Sequence, residues 1–341
     1  MIQTRFCYLL MVLCCCAGLQ VRAQDPIFSQ YFASPLSVNP ALAGNGDANW
    51  RLMGLRRNQW ISAGVEPLNT TSLSFDGRLF KQRDNDQNYI GGGLLFLQDY
   101  GLSGAYKSNS VSLAISSHIS LDADDLNGLS AGLGFSYANT LIDFNRLAFP
   151  SQISYTGFNR SLPTNEVYLS SIKPYYSAFA GINYTYKTES SSFDIGFAGY
   201  RFIKSQRSAL KDPNQFDPPR YNLHANYQSF LGERVVFNAN LMFAFEKTIT
   251  SYNGGINLGY IIGDYDAEEH PTIFNTGLFY RHNEAIIPYV GLRYGNVQGG
   301  VSYDINTSNT NSYVGPLKTF EFSLIFHSPE KRRSPVPCPW K

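Results

Sequence analysis

Five histidines, two acidic runs, a triple glycine and one late cysteine are the residues whose types could carry chemistry in this sequence. His118, His224, His270, His282 and His327 are scattered, without the HExxH or paired-histidine spacing that seats a catalytic metal. No nucleophile elbow of the G-x-S-x-G kind and no serine–histidine pairing is read from the sequence. Asp264, Asp266, Glu268, Glu269 and His270 form the densest acidic cluster, a donor set that would suit a divalent cation. A solvated turn between two strands explains the same residues, and is the preferred reading. Asp122, Asp124 and Asp125 read the same way, as a polar turn. Gly91-Gly92-Gly93 lacks the Lys-Ser/Thr and helix of a phosphate loop. It falls within an alternating segment, where glycine permits a bend or close packing. No catalytic, cofactor or metal site is expected, and the protein is expected not to be an enzyme.

The first residues carry a different signal. Arg5 supplies a short basic region, and Cys7 to Leu19 is apolar and uncharged, too short for a membrane-spanning helix of about 20 residues. Val21-Arg22-Ala23 reads as a cleavage site, so residues 1–23 are expected to be a signal peptide and Gln24 the mature N-terminus. Cys14, Cys15 and Cys16 raise a lipoprotein reading, but none follows a small residue as lipidation requires. Of the five cysteines, Cys7, Cys14, Cys15 and Cys16 leave with the signal. Only Cys338 remains, so no internal disulfide can form in an oxidising compartment.

Stability must then come from elsewhere, and composition suggests where. The 341 residues are 43% hydrophobic and only 16% charged, with 23 Tyr, 24 Phe and 29 Gly. Soluble domains carry about 25% charged residues, so this surface is not solvated mainly by charge. The formal net charge of +1 argues against a nucleic-acid partner.

Beyond the signal, no stretch of 18 apolar residues occurs, and period-two alternation recurs instead. In Thr71 to Phe80, Leu73, Phe75, Gly77 and Leu79 alternate with Ser72, Ser74, Asp76 and Arg78. About fourteen such segments begin near Trp50, Thr71, Tyr89, Tyr106, Leu129, Pro174, Phe193, Tyr221, Arg234, Ser251, Thr272, Ala285, Val297 and Leu317. Most run roughly 10–14 residues; tilted by ~40°, ten span about 25 Å, the apolar height of an outer-membrane barrel. If the N-terminus starts in the periplasm, the long connections Thr140 to Lys173, Ser205 to Arg220 and Asn306 to Pro316 all face outward. Thr188 to Ser192 and Leu231 to Glu233 are tight inner turns. The last strand alternates Phe320, Phe322, Leu324 and Phe326 with Glu321, Ser323 and Ile325, and a proline-rich tail ends the ladder. The expected fold is therefore all-β, a transmembrane antiparallel barrel of about fourteen strands over residues 48–327. A soluble β-sandwich or propeller would have shorter strands or a blade-length repeat.

Three short stretches carry a family likeness. They are Gln24-Asp25-Pro26-Ile27-Phe28-Ser29-Gln30-Tyr31 with Asn39-Pro40-Ala41-Leu42-Ala43-Gly44, then Arg57-Asn58-Gln59-Trp60, and Val336-Pro337-Cys338-Pro339 in the tail. In this order they resemble the PorP/SprF family of the Bacteroidota type IX secretion system. The likeness is sharpest over residues 24 to 80 and in the tail; the ending Pro339-Trp340-Lys341 departs from the Arg-Phe that closes the family. The resemblance implies a multi-pass outer-membrane barrel without catalytic activity or cofactor. Its partners would be membrane lipid and either a secreted surface adhesin or the periplasmic ring proteins of the machinery. Gliding motility falls within the same expectation.

The motif residues Asp25, Pro26, Phe28, Tyr31, Asn39, Pro40, Arg57, Asn58, Gln59, Trp60, Pro337, Cys338 and Pro339 are the partner-contact candidates. Asp25-Pro26 and Asn39-Pro40 are proline-restricted turns, and Phe28, Tyr31 and Phe32 are too apolar for a solvated leader. Residues 24–47 are thus expected to fold against or into the periplasmic mouth and narrow it, the alternative being a flexible leader with a local turn. Trp60 suits an interface anchor, while Arg56 and Arg57 point to opposite faces, one into the lumen. Residues 328–341 form a periplasmic tail in which Cys338 is a docking element, an intermolecular disulfide partner or an inert thiol. The rival function is a passive channel for small or hydrophobic solutes. Lumen-facing alternates are mostly Ser, Asn, Gly and Tyr with few charge ladders, which disfavours a strongly ion-selective pore.

Overall fold

Alternation fixes the wall. In the strand from Tyr106 to Ser120, Val111, Leu113 and Ile115 face outward while Ser112, Ala114, Ser116 and His118 face inward, as a period of two requires. A computed structural model describes residues 28–46, 48–61, 66–82, 85–164, 174–203, 217–247, 249–263, 272–307 and 317–328. Its strands are β1 (Trp50–Ile61), β2 (Leu68–Gln82), β3 (Asn85–Gly101), β4 (Tyr106–Ser120), β5 (Asn127–Ile142), β6 (Ile153–Ser154), β7 (Gly157–Phe158) and β8 (Tyr175–Lys187). There follow β9 (Ser191–Tyr200), β10 (Arg220–Phe230), β11 (Val235–Glu246), β12 (Ile249–Ile262), β13 (Thr272–Arg281), β14 (Ala285–Tyr294), β15 (Val297–Asn306) and β16 (Lys318–His327).

Fourteen of these form one closed antiparallel barrel, and β6–β7 is a small hairpin within the β5–β8 connection. Closure pairs β1 with β16 from Arg51↔His327 to Ile61↔Lys318, with a bulge between Asn58 and Ile61. Trp60 sits in that bulge at φ 61°. All fourteen alternating segments of the sequence are barrel strands. The expected length of 10–14 residues holds for β1 and β8 to β16, which run 12, 13, 10, 11, 12, 14, 10, 10, 10 and 10 residues. It fails for β2 to β5, which run 15, 17, 15 and 16 residues. Their surplus rungs carry polar side chains on the outer face near the loop end: Gln98 Nε2 donates to Asn109 Oδ1 at 2.9 Å, and Arg56 of β1 donates to Thr71 Oγ1. Those polar rungs carry the wall past the apolar band.

Both chain ends of the barrel lie at one rim, here the terminal end; β1–β2, β5–β8, β9–β10 and β15–β16 connect at the opposite, loop end. The long connections 143–174 and 201–219 are at the loop end, whereas 188–190 and 231–234 turn at the terminal end. The Asp122 turn is polar as read: its carboxylate accepts from Leu126 N at 2.8 Å and Asn127 N at 3.1 Å. These donors, the Asn127 side chain foremost, lower its pKa. The acidic cluster Asp264–His270 lies outside the described residues.

The outer face is apolar at mid-height, with Leu133 70%, Ile115 62% and Leu113 60% exposed. A belt of that size is untenable in water and natural in hydrocarbon. Leu133→Arg, near the middle of β5, is therefore expected to lower the unfolding free energy in lipid vesicles by ~2–4 kcal/mol. Denaturant titration checks this; a loss under ~0.5 kcal/mol, ordinary for an aqueous surface, would remove Leu133 from the hydrocarbon.

Candidate functional site in the barrel lumen

The barrel's interior holds a segment of the chain itself. Residues 28–46 pass through its interior as a 3-10 turn (Tyr31–Ala33), one helical turn (Pro35–Val38) and a second 3-10 turn (Pro40–Leu42). Pro35 and Pro40 each occupy the first position of a turn, where a missing N–H costs nothing. Only Ser37, Leu42 and Asn45 of this inner segment are half-buried; the rest is buried. It runs from the level of Glu321, Asp304 and Arg281, near the loop end, to Arg51 and Asp76 near the terminal end. The segment thus fills the barrel's depth instead of lining one mouth.

At its upper part the segment grips a buried charge network. Glu321 accepts the backbone N–H of Ser29 at 2.7 Å and of Gln30 at 2.8 Å, one on each carboxylate oxygen. Arg57 lies 3.3 Å from Glu321 and 3.4 Å from Asp304, and Arg281 lies 3.1 Å from Asp304. Ser29 Oγ donates to Asp304 at 2.8 Å, and Gln30 bonds Ser302 and Ser323. Two carboxylates and two guanidiniums compensate one another where water is excluded, so each group is held by the others. Beside them Phe28 and Phe32 pack on Met53, Leu55, Phe279, Ile287, Tyr289 and Ile325. The expectation of a lumen paved with Ser, Asn, Gly and Tyr fails on this side, because the inner segment brings apolar rings that demand apolar partners. Each buried ring contributes about 1.5–3 kcal/mol.

Lower down, the stretch Asn39–Gly44 is seated by small residues and directed hydrogen bonds. Asn39 caps Ala41 N at 2.9 Å and donates to Ile182 O at 2.9 Å, with His224 Nε2 at 3.2 Å. Asn222 donates to Val38 O at 2.9 Å, and Gly44 N to Asp76 at 2.6 Å. Arg51 clamps Asp76 at 2.6 Å and reaches Leu42 O at 3.2 Å. Ala43 O meets Ser116 Oγ at 2.6 Å and His118 Nε2 at 2.8 Å. The approach to the wall is so close that a Cβ on Gly132 would stand 2.4 Å from Ala41 N, and one on Gly91 2.1 Å from Ala43 O. Gly91 and Gly93 of the triple glycine are thus a seat for the inner segment, a Cβ on Gly93 standing 2.7 Å from Leu36 Cδ1, while Gly92 faces Leu79 on the outer side.

Two lumenal cavities border the inner segment. One, of ≈ 110 Å³, lies above Leu36 and Ser37 toward the loop end. The other, of ≈ 60 Å³, lies between Tyr31, Phe32 and the amides Asn226, Gln228, Asn238 and Asn240 on the terminal side.

The sequence candidates separate accordingly. Phe28, Tyr31, Asn39, Pro40 and Arg57 come together inside the barrel. Arg56 is exposed on the outer face with Nη1 2.9 Å from Thr71 Oγ1, as opposite faces require. Asn58 bonds Asn69 on the wall, Gln59 pairs in register with Leu68, and Trp60 is 45% exposed, so the structure does not bring these three together with Phe28, Tyr31 and Asn39 among the described residues. Asp25, Pro26, Pro337, Cys338 and Pro339 lie outside the described residues. Glu321, Asp304, Arg281, Asp76, His118 and His224 were not read as partners of the segment, although each is an ionisable residue at an inward strand position.

One reading needs correcting. Gly128-Leu129-Ser130-Ala131-Gly132 does spell G-x-S-x-G, and Ser130 Oγ lies 2.7 Å from His118 Nδ1. The string is mid-strand in β5, with no elbow, and the other His118 nitrogen meets Ser116 and Ala43 O instead of a carboxylate. This is an anchor for the inner segment and lacks the geometry of a nucleophile site.

Glu321→Ala leaves Arg57 without its closest carboxylate and frees two backbone N–H groups. We expect a stability loss of ~3–5 kcal/mol and faster protease cleavage within residues 28–46 in the membrane-inserted protein. Protection and stability equal to the parent would show that the network does not hold the segment.

Two solved structures share the architecture. The P. putida toluene transporter TodX aligns with a TM-score of 0.50 and 12% identity over 86% of this chain and 93% of its own. A TodX deltaS2 mutant, described as a monoaromatic hydrocarbon channel, aligns at 0.51 and 11% over 88% and 94%. At such identities the likeness is one of fold, that of an outer-membrane barrel. Among curated proteins, none matches this sequence. Residues 20–326 match the family described as type IX secretion system membrane protein PorP/SprF, and the chain belongs to that family.

Proposed function

We propose that this chain is a non-enzymatic, internally plugged outer-membrane component of the type IX secretion system. It supports export or surface anchoring of a secreted adhesin, or contacts the periplasmic ring. The observation that carries this reading is the lumen occupied by residues 28–46, hydrogen-bonded to strands around the circumference. A passive conduit needs free cross-section, which such a segment removes, so the barrel acts through its rims. The short-turn terminal end suits the periplasm and the long-connection end the cell surface. Residues 1–23 act as the export signal, and the tail 328–341 together with the link from the segment's end into β1 offers the periplasmic contacts. The connections 143–174 and 201–219 offer the outer ones.

Gentle purification of the tagged protein from its native outer membrane, with mass spectrometry of what accompanies it, tests this. A large exported adhesin or periplasmic-ring proteins are expected. Recovery of the barrel alone, with steady ionic conductance in planar bilayers, would overturn the reading in favour of a channel.

A further inference from the structure

Four carboxylates are buried among the described residues: Asp76, Asp194, Asp304 and Glu321. Three of them face guanidiniums, Asp76 that of Arg51, Asp304 those of Arg57 and Arg281, and Glu321 that of Arg57. Asp194, on β9 near the terminal end, has neither arginine nor lysine as an ion-pair partner among the described residues. It is 4% exposed, and its one side-chain hydrogen bond comes from Asn226 Nδ2, 3.0 Å from Oδ1. A buried carboxylate without a compensating charge is strongly destabilising.

The neighbouring histidine does not supply that charge. His224 Nδ1 lies 3.8 Å from Asp194 Oδ1, beyond hydrogen-bond reach. Its protonation follows from Asn39. Asn39 Oδ1 accepts from Ala41 N, so Nδ2 is the atom that donates to Ile182 O and faces His224 Nε2 at 3.2 Å. Nε2 must then accept, which places one proton on Nδ1 and leaves the ring neutral. A second proton would set N–H against N–H.

Asp194 and His224 line the cavity of ≈ 60 Å³ beside the inner segment, together with Tyr31 from the segment and Asn238 and Asn240 from β11. Tyr31 Oη, His224 Nδ1, Asn238 Nδ2 and Asn240 Nδ2 are buried and have no hydrogen-bond partner among the described residues. Arg51, which also lines the cavity, is bonded to Asp76 and Leu42 O. Oxygens of Asp194 and Tyr31 can ligate a cation, whereas the three N–H groups need an acceptor. Water supplies one, because its oxygen can face an ion and an N–H together. Room for about four waters holds a small ion with part of its hydration and excludes an organic cation. One carboxylate balances one positive charge; a calcium ion would ask for further carboxylates and about six to eight oxygens.

We propose that this cavity binds a partly hydrated alkali cation, ligated by Asp194 and the Tyr31 hydroxyl, which clips the inner segment to β9. The ion does for Asp194 what arginine does for the other three buried carboxylates. The site stands independently of the proposed role in secretion.

The test uses the full-length protein in detergent, melted in sodium, potassium or N-methylglucamine chloride at equal ionic strength. Sodium or potassium is expected to raise Tm by about 2 °C or more over N-methylglucamine, which is too large for the cavity. Asp194→Asn removes the charge at nearly constant shape and should respond alike to all three salts. Tyr31→Phe, which keeps the carboxylate, should need a severalfold higher cation concentration for the same gain. Equal melting of the parent in all three salts would overturn the proposal. So would a gain kept by Asp194→Asn, since the ion would then act elsewhere, and a response unchanged in Tyr31→Phe would overturn the clip. Should Asp194→Asn fail to fold, rubidium soaked into crystals of the parent decides. Anomalous density between Asp194 and Tyr31 supports the site, and its absence there rejects it.

Discussion

In hydrocarbon an unpaired backbone amide costs several kcal/mol, and the whole structure follows from satisfying every one of them. A sheet can do so only by closing, which makes the pairing of β1 with β16 the contact on which the rest depends. Once closed, the wall has two solvents. Lipid selects leucine, isoleucine, valine and phenylalanine outside, and the interior must be filled by polar groups that bond one another or by something brought in. Fourteen strands enclose more space than short side chains can fill. Residues 28–46 supply the missing contents.

The filling is asymmetric. Toward β13–β16 and β1 the inner segment presents Phe28 and Phe32 and finds an apolar core with a compensated charge network beside it. Toward β3–β10 it presents backbone carbonyls and Asn39, and finds serine, histidine and asparagine on strands whose glycines let it approach. The first side is held largely by burial and ionic compensation and the second by directed hydrogen bonds. The segment's conformation is thereby specified from both sides. Two proline-initiated turns and the Asn39 cap pre-set its shape before any contact with the wall.

Wall and lumen were unequally legible in the sequence. Alternation is a local signal, so Leu73, Phe75 and Leu79 announced a strand by themselves, and the long connections fell on one rim. The polar surplus of β2–β5 was not legible, because alternation continues unbroken past the membrane while the change of environment leaves no period of its own. In the lumen, the apolar character of Phe28, Tyr31 and Phe32 showed that the segment needed cover. Its partners could not be read, since Ser29 meets Glu321 across 292 positions and Asn39 meets His224 across 185. A carboxylate between Phe320 and Phe322 reads as ordinary alternation until the opposite guanidiniums are known. Ser130 makes the converse point: its surrounding string spells a nucleophile motif, and only its place in mid-strand shows that it holds Ala43 through His118.

Those separations also order the assembly. Ser29 and Gln30 belong to the first residues of the described chain, and the groups that fix them, Asp304, Glu321 and Ser323, belong to the last two strands. The upper half of the lumen therefore cannot reach its final arrangement before β15 and β16 are present and paired. The lower seat draws on β2, β4, β8 and β10, all earlier in the chain. Closing the wall with β16 delivers in one step the last backbone pairing and the carboxylate that holds Ser29 and Gln30. Barrel closure and completion of the lumen are thus coupled through a single strand, whose outward face meets lipid with Phe322, Leu324 and Phe326 while its inward face meets the segment with Glu321, Ser323 and Ile325.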